Sequence, residues 1–321
     1  MIDRFLGTGV EYDSYVALKR RVWPHESVSP SSQREADARR DPAEFNERLL
    51  VRHEGAVVAA ADIYSLRFSA DPDRFGFMVI VDPSVRRRGI GTALYTHIID
   101  RLDLGRVSGW ETAAWEGDPS GSAWLDQLGF RLVSTHQMSE LNLDSVDTAP
   151  FQKLIDGVEA TGVAMMSFAE FTNAAPDAAH ELYDLAVELS RDAPWYEDVA
   201  KPPLAVWRRE FIDSDAILAD AYTVAVEDGQ LVGQSALMKD DHDPSILRTG
   251  LTGVRKPYRR RHIATAMKMR AIDRAVQLSK PEGGLRIVTG NAAENPMLEL
   301  NLRLGFEKQP AWCIYVKDDH A

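Results

Sequence analysis

VDPSVRRRGIGTALYTHIIDRL, running from Val81 to Leu102, is answered later in the chain by VRKPYRRRHIATAMKMRAIDRA, from Val254 to Ala275. Valine, proline, an arginine run, isoleucine, threonine and alanine recur in the same order. Downstream, each copy reaches a Leu-Gly-Phe, at Leu128-Gly129-Phe130 and at Leu304-Gly305-Phe306. The offset between the arginine runs is 173 residues and that between the Gly-Phe pairs is 176, so the halves stay in register to within a short loop. A period this long exceeds any solenoid unit and points to duplication of a whole domain. A length of 321 residues agrees, because a single core rarely grows that far.

Outward from the repeats, the two halves share one plan. In the first, Tyr12–Val22 and Gln33–Arg48 read as helices, and RLLVRHEG and AVVAAADIYSL read as strands joined by a hairpin turn at Glu54-Gly55. The second half gives helical AAHELYDLAVELSRD and PPLAVWRREFI, then AYTVAVEDG and QLVGQSALM about a turn at Asp228-Gly229. A strand follows in each, FGFMVIVDP or ILRTGLTGV, and leads into the arginine run. Helical spacing comes next: Ile90, Leu94, Ile98 and Leu102 in one copy, Ile263, Met267, Ala271 and Ala275 in the other. RVSGWETAA and GGLRIVTG then read as strands, each before a short helix and a last strand. The expected domains are 1–145 and 162–321, with FQKLIDGVEATG forming a short helix in a connecting segment, 146–161.

RRRGIG, Arg86 to Gly91, falls where a strand turns into a helix. A helix N-terminus carries unpaired N–H groups and partial positive charge, and can bind a pyrophosphate. Gly89 and Gly91 keep Cβ atoms out of the way of phosphates, and Arg86, Arg87 and Arg88 add charge. The bland alternative is a solvated basic turn capping an ordinary helix.

At these residues the sequence resembles the GCN5-related N-acetyltransferases. Their signature is Gln or Arg, two residues, Gly, one residue, then Gly or Ala, and Arg86, Gly89 and Gly91 match it. The resemblance covers nearly the whole chain in two copies. It implies a tandem α/β protein of two domains, each a mixed, largely antiparallel twisted sheet flanked by helices. It also implies acetyl-CoA as acyl donor, held by the loop Arg86, Arg87, Arg88, Gly89, Ile90, Gly91 and Thr92. The pantetheine arm is expected to pair with the preceding strand at Met78, Val79, Ile80 and Val81.

The second copy reads RRRHIA, with His262 in place of the first glycine and the permitted Ala264 in place of the second. A Cβ and an imidazole there crowd a pyrophosphate, although a histidine can also donate a hydrogen bond to phosphate. The expectation is weak binding or none. Val254, Arg259, Arg261 and Ala264 are its candidate contacts, with Asn291 and Asn295 from the polar stretch TGNAAENPMLELNLRLGF. An asparagine in that stretch can equally cap the helix that follows.

Acetyl transfer to an amine needs a base for the ammonium proton and a donor for the leaving thiolate. The resemblance implies a carboxylate for the first and, four residues before the Gly of Gly-Phe, a tyrosine for the second. Leu125 and Asn301 stand there instead. Glu111 and Asp62 are the candidate bases, each readable also as a solvent-facing strand carboxylate. Trp23 and His25, and Trp195 and Tyr196, lie where relatives shape the acceptor pocket.

The single cysteine, Cys313, excludes an intramolecular disulfide, and the scattered histidines show no metal-ligand spacing. No apolar run reaches membrane-span length and the N-terminus lacks a basic start followed by an apolar stretch, so a cytoplasmic chain is expected. The net charge of -12 disfavours nucleic acid and attracts cationic partners. The leading expectation is an acetyl-CoA-dependent N-acetyltransferase acting on a primary amine of a small molecule or peptide. A non-catalytic acyl-CoA sensor, a catalytic second copy and a homodimer are left open.

Overall fold

A computed structural model describes the chain apart from residues 25, 27, 67–68, 102–106, 176, 195–199, 280–282 and 319–321. In chain order the first half gives β1 (Ile2–Arg4), α1 (Gly9–Val22), α2 (Pro30–Ala38), β2 (Asn46–His53), β3 (Ala56–Ser65), β4 (Arg74–Val81), α3 (Ile90–Arg101), β5 (Gly109–Trp115), α4 (Pro119–Gln127) and β6 (Arg131–Asn142). The second half gives α5 (Phe151–Glu159), β7 (Val163–Ser167), α6 (Phe168–Ala174), α7 (Ala178–Ser190), α8 (Leu204–Phe211), β8 (Thr223–Glu227), β9 (Gln230–Lys239), β10 (Ile246–Val254), α9 (Ile263–Leu278), β11 (Arg286–Ala292), α10 (Pro296–Arg303), β12 (Glu307–Lys308) and β13 (Trp312–Asp318). No helix among the described residues is long and apolar enough to cross a membrane.

The compact units do not follow the contiguous ranges 1–145 and 162–321. The first comprises Met1–Thr135, Asp241–Asp243 and Trp312–Ala321, and the second His136–Asp240 and Pro244–Ala311. Each therefore takes its last long strand from the other half of the sequence. β13 completes the first sheet by pairing antiparallel with β5, Trp312 opposite Trp115 through Asp318 opposite Gly109. β6 pairs antiparallel with β11 in the second, His136 opposite Ala292 through Asn142 opposite Arg286. Residues 146–161 are no linker either, because Phe151, Ile155 and Val158 of α5 are buried in the second unit's core with Ile263 and Met267 of α9.

Within the first unit the strand order is β1-β2-β3-β4-β5-β13, antiparallel except between β4 and β5. α1 starts at a capping box in which Thr8 accepts from the Glu11 amide and Glu11 accepts from the Thr8 amide. Its Tyr15, Val16 and Leu18 pack against Leu50, Ala60 and Ile80 on one face of the sheet. On the other face Leu94, Tyr95 and Ile98 of α3 meet Phe77, Trp110 and Phe130. The sheet is thus covered on both sides. The second unit repeats this in the order β7-β8-β9-β10-β11-β6, with β12 also on β6 and the β10–β11 pair the parallel one.

Both predicted hairpin turns form, with Glu54 and Gly55 at φ 50° and 83° and Asp228 and Gly229 at φ 50° and 75°. This left-handed pair is what a two-residue hairpin loop requires. The polar helix expected over Gln33–Arg48 ends at Ala38 instead, and Asn46 onward is strand. Pro42 disfavours helix at Asp41 and contributes no N–H donor, so the helix stops short of it.

Candidate functional site

β4 and β5 pair only over Arg74–Gly76 and Gly109–Glu111 and then part. From Phe77 to Val81, β4 keeps β3 on one edge and leaves the other edge open. Into this split opens a cavity of about 350 Å³, lined by Met78, Val79, Ile80 and Val81 on one side and Ala113, Ala114 and Trp115 on the other. Trp23, Trp124 and Trp312 add indole walls.

The arginine run closes the mouth. Arg86 is built into the frame: its Nε donates to the Val81 carbonyl at 3.0 Å and its Nη1 to Asp118, which caps α4. Burial raises the Asp118 carboxyl, but the hydrogen bonds from Ser120 and Arg86 outweigh that and hold it below the usual carboxylate range. Arg87 and Gly89 take φ of 62° and 78°, a double left-handed step that turns the chain into α3. Ala93 N–H is the first to bond back, to the Gly89 carbonyl at 2.9 Å. The amides of Ile90, Gly91 and Thr92 precede it and bond to no protein group among the described residues. A Cβ at Gly89 would have nothing within 4 Å, so the space in front of these amides is open. Unpaired amides, helix-end charge, Arg87 and an unpaired strand edge suit a phosphate-headed ligand with a chain that can hydrogen-bond along β4.

Arg86, Arg87, Gly89, Ile90, Gly91 and Thr92 therefore come together with Val79, Ile80 and Val81 around one cavity, while Arg88 is exposed and outside its lining. The two candidate bases are elsewhere. Asp62 accepts from Tyr15 Oη and from Arg48 Nε, each at 2.6 Å, deep under α1. Glu111 lies at the closed end of the split, opposite Val316 and level with Gly76. There the Tyr64 ring covers Gly76, and burial, with the charge of Glu111 behind it, pushes the Tyr64 hydroxyl up to about 12. Neither carboxylate lines the cavity. Trp23, expected in the acceptor-pocket region, lines the cavity, whereas Asp118, Trp115, Trp124 and Trp312 are not among the expected site residues. Asp118-Pro119 is a readable helix start, whereas Trp312 arrives by a pairing no local pattern reveals.

In the second unit β10 and β11 also pair briefly, Ile246–Arg248 with Arg286–Val288, and then part. Arg259 repeats the brace, Nε donating to the Val254 carbonyl at 2.9 Å and Nη2 to Asp192. Arg260 and His262 take φ of 63° and 61°, the conformation of Arg87 and Gly89, and Ala266 N–H bonds to the His262 carbonyl at 2.9 Å. The loop thus keeps its form without the glycine, leaving Ala264 in the first turn of α9. A left-handed non-glycine residue costs about 1 kcal/mol. His262→Gly is accordingly expected to raise stability by about that amount, read as a higher urea midpoint at unchanged slope. A lower midpoint would show that the histidine compensates for its backbone.

Arg261 is committed to Glu227 by two hydrogen bonds, at 2.9 and 2.6 Å. Asn295 caps α10, accepting from Met297 N–H at 2.9 Å, as Asp118 caps α4. Asn291 accepts from Asn301 Nδ2 at 2.8 Å. One further difference is local: the β9–β10 register slips between Thr249 and Thr252, bulging Gly250 and Leu251, whereas β3–β4 runs unbroken. His25, Trp195, Tyr196 and Leu102 lie outside the described residues.

A twice-split sheet with an arginine-glycine turn at the split is the architecture of an acyl-CoA-binding α/β module. The family model for the acetyltransferase (GNAT) family matches residues 12–130 and again 163–306, and the chain belongs to that family as a tandem member. A tandem GNAT protein from the clavulanic acid biosynthesis pathway superposes with a TM-score of 0.76 at 20% identity, covering 99% of this chain and 98% of its own. A GCN5-related N-acetyltransferase from Sphaerobacter thermophilus gives 0.74 at 18%, covering 99% and 95%. At such identities the likeness is one of fold. No curated protein matches the sequence.

Proposed function

We propose that the chain is an N-acetyltransferase that moves the acetyl group of acetyl-CoA to a primary amine of a small molecule or peptide, with acetyl-CoA held in the first unit. The observation that carries this reading is the first unit's cavity, where an open edge of β4 ends at unpaired helix-end amides and Arg87. Family membership supports the acyl donor. The net charge of -12 favours a cationic acceptor over nucleic acid, and with one cysteine and no membrane-length helix among the described residues we place the protein in the cytoplasm.

The chemistry joins the amine nitrogen to the thioester carbonyl carbon and breaks the C–S bond. The amine gives up a proton and the CoA thiolate gains one. In the first unit Arg86 and Asp118 hold the turn, the α3 amides bind phosphate, and the tryptophan walls exclude water. A base is the missing part: Asp118, bonded to Arg86, is the one carboxylate lining the cavity among the described residues. That observation favours a second reading for this unit, in which acyl-CoA binds without turning over.

Calorimetry with acetyl-CoA on the intact chain tests the reading. Gly89→Trp puts a side chain where the phosphates must approach, and binding at the first unit's site is expected to fall at least about 100-fold, some 2.7 kcal/mol. Binding untouched by Gly89→Trp and lost in Ala264→Trp would move the cofactor to the second unit.

A further inference from the structure

The duplicated units serve as each other's control, because their sheets can be aligned pair by pair. β5 begins at Gly109, opposite Arg74 and Asp318, and six residues on Trp115 faces Trp312. β11 begins at Arg286, opposite Ile246 and Asn142, and six residues on Ala292 faces His136. His136 therefore holds in the second unit the place of Trp312 in the first. Trp312 lines the first unit's cavity and packs edge-on against Trp23, ring centroids 5.6 Å apart.

Neighbouring positions change in the same direction. Ala114 of the cavity wall becomes Asn291, two residues on from Thr112 and Thr289. Leu125, whose carbonyl accepts from the Phe130 amide, becomes Asn301, whose carbonyl accepts from that of Phe306. At the positions of an indole wall, an aliphatic wall and a core leucine of the first unit, the second has an imidazole and two carboxamides. These polar groups are not all satisfied internally. Asn301 is 1% exposed with no donor to its Oδ1, and the half-buried His136 imidazole forms no hydrogen bond or ion pair among the described residues. Buried polar groups without partners are uncommon in a structural core and are the rule where a ligand completes them. Burial alone, with no neighbouring charge contributing, holds the His136 pKa below its ordinary 6.5, so the ring is neutral and able to accept a proton at pH 7. The strand bulge at Gly250-Leu251 marks the same split, and bulges gather beside active sites.

We propose that the second unit carries the transfer step and that His136 is its general base. The imidazole takes the proton that the acceptor amine sheds as its nitrogen bonds to the thioester carbonyl carbon. The C–S bond breaks, its electron pair leaves on sulfur, and the CoA thiolate is protonated by water. This rests on the acetyltransferase reading above, keeps the first unit as an acyl-CoA site without turnover, and assigns the reacting acetyl-CoA and the base to the second unit. The RRRHIA turn, which keeps the backbone form of the first loop, is the acyl-CoA site this assignment requires, and the absence of a base in the first unit's cavity is then no obstacle to activity.

The test follows CoA release from acetyl-CoA across about pH 5 to 9 with a panel of primary amines, using the full chain, His136→Gln and His136→Trp. Circular dichroism and acetyl-CoA binding check that both variants fold. Both are expected to lose about 100-fold in kcat at an unchanged KM for acetyl-CoA, and His136→Gln to lose the acid limb of the profile, which lies below pH 6.5 in the wild type. Release by His136→Gln within threefold of wild type, with the acid limb kept, would overturn the assignment while leaving the acetyltransferase reading intact. If the wild type releases no CoA above background with any amine, the acetyltransferase reading fails and this one with it.

Discussion

Arg48→Met is expected to destabilise the first unit by about 3–5 kcal/mol and to flatten its response to acid. The Arg48 side chain is 4% exposed, with Nε 2.6 Å from Asp62 and Nη1 2.7 Å from Asp37. Its guanidinium lies over the Tyr15 ring, 4.1 Å from the centroid. Tyr12 and Tyr15 donate their hydroxyls to the same two carboxylates, at 3.1 and 2.6 Å. Methionine keeps most of the stem volume and deletes the charge, leaving Asp62 with the Tyr15 hydroxyl and Asp37 with Tyr12, Gln33 and Arg40. In the wild type burial raises the Asp37 carboxyl, but Arg48's hydrogen bond and charge outweigh it and the pKa falls below 3.8. A folded pKa below the unfolded one adds stability that is complete above the unfolded value and is lost as pH drops through the folded one. Wild-type stability from this group is therefore flat between pH 7 and about 4. In the variant burial still raises Asp37 while Arg40 and Tyr12 still lower it, so its pKa moves up toward the unfolded value and less stability is lost on acidification than in the wild type. Urea titrations at pH 7 and at about pH 3 decide it: a loss under about 1 kcal/mol at pH 7, or an acid-induced drop as large as the wild type's, would show that the network is not held by Arg48.

The same network explains why one candidate base misled. Asp62 on a strand next to the motif looks available in the sequence, but its fate is set by Arg48 on the neighbouring strand and by Tyr15 on α1, partners 14 and 47 residues away. The loop was legible because its determinants are local. Arg86, Gly89 and Gly91 define a turn whose geometry the backbone fixes, and duplication let RRRHIA be recognised despite His262. Hairpins at Glu54-Gly55 and Asp228-Gly229 were legible for the same reason. α5 was half legible: Phe151, Leu154, Ile155 and Val158 carry helical spacing with an apolar face, which marks a helix that packs rather than one that connects. His136 was hidden, since its strand belongs by sequence to the first half and by pairing to the second unit.

That pairing has a sharp consequence near the end of the chain. Tyr315→Ala is expected to open the first unit while leaving the second in place, although the residue follows the second Leu-Gly-Phe. Tyr315 is 5% exposed and packs in the core of Phe77, Tyr95, Trp110 and Phe130, opposite Thr112 of β5. Removing an aromatic ring from such a site costs about 3–5 kcal/mol, a large share of the 5–15 kcal/mol that holds a domain together. The strand itself has the same alternating pattern whichever sheet receives it, so the destination is decided by long-range pairing and not by local propensity. Hydrogen exchange reads the destination directly. Segments 90–101 and 109–115 are expected to lose protection in the variant, and 263–278 and 286–292 to keep theirs. Protection lost in 286–292 instead would mean that β13 closes the second sheet, and the contiguous division at residue 145 would stand.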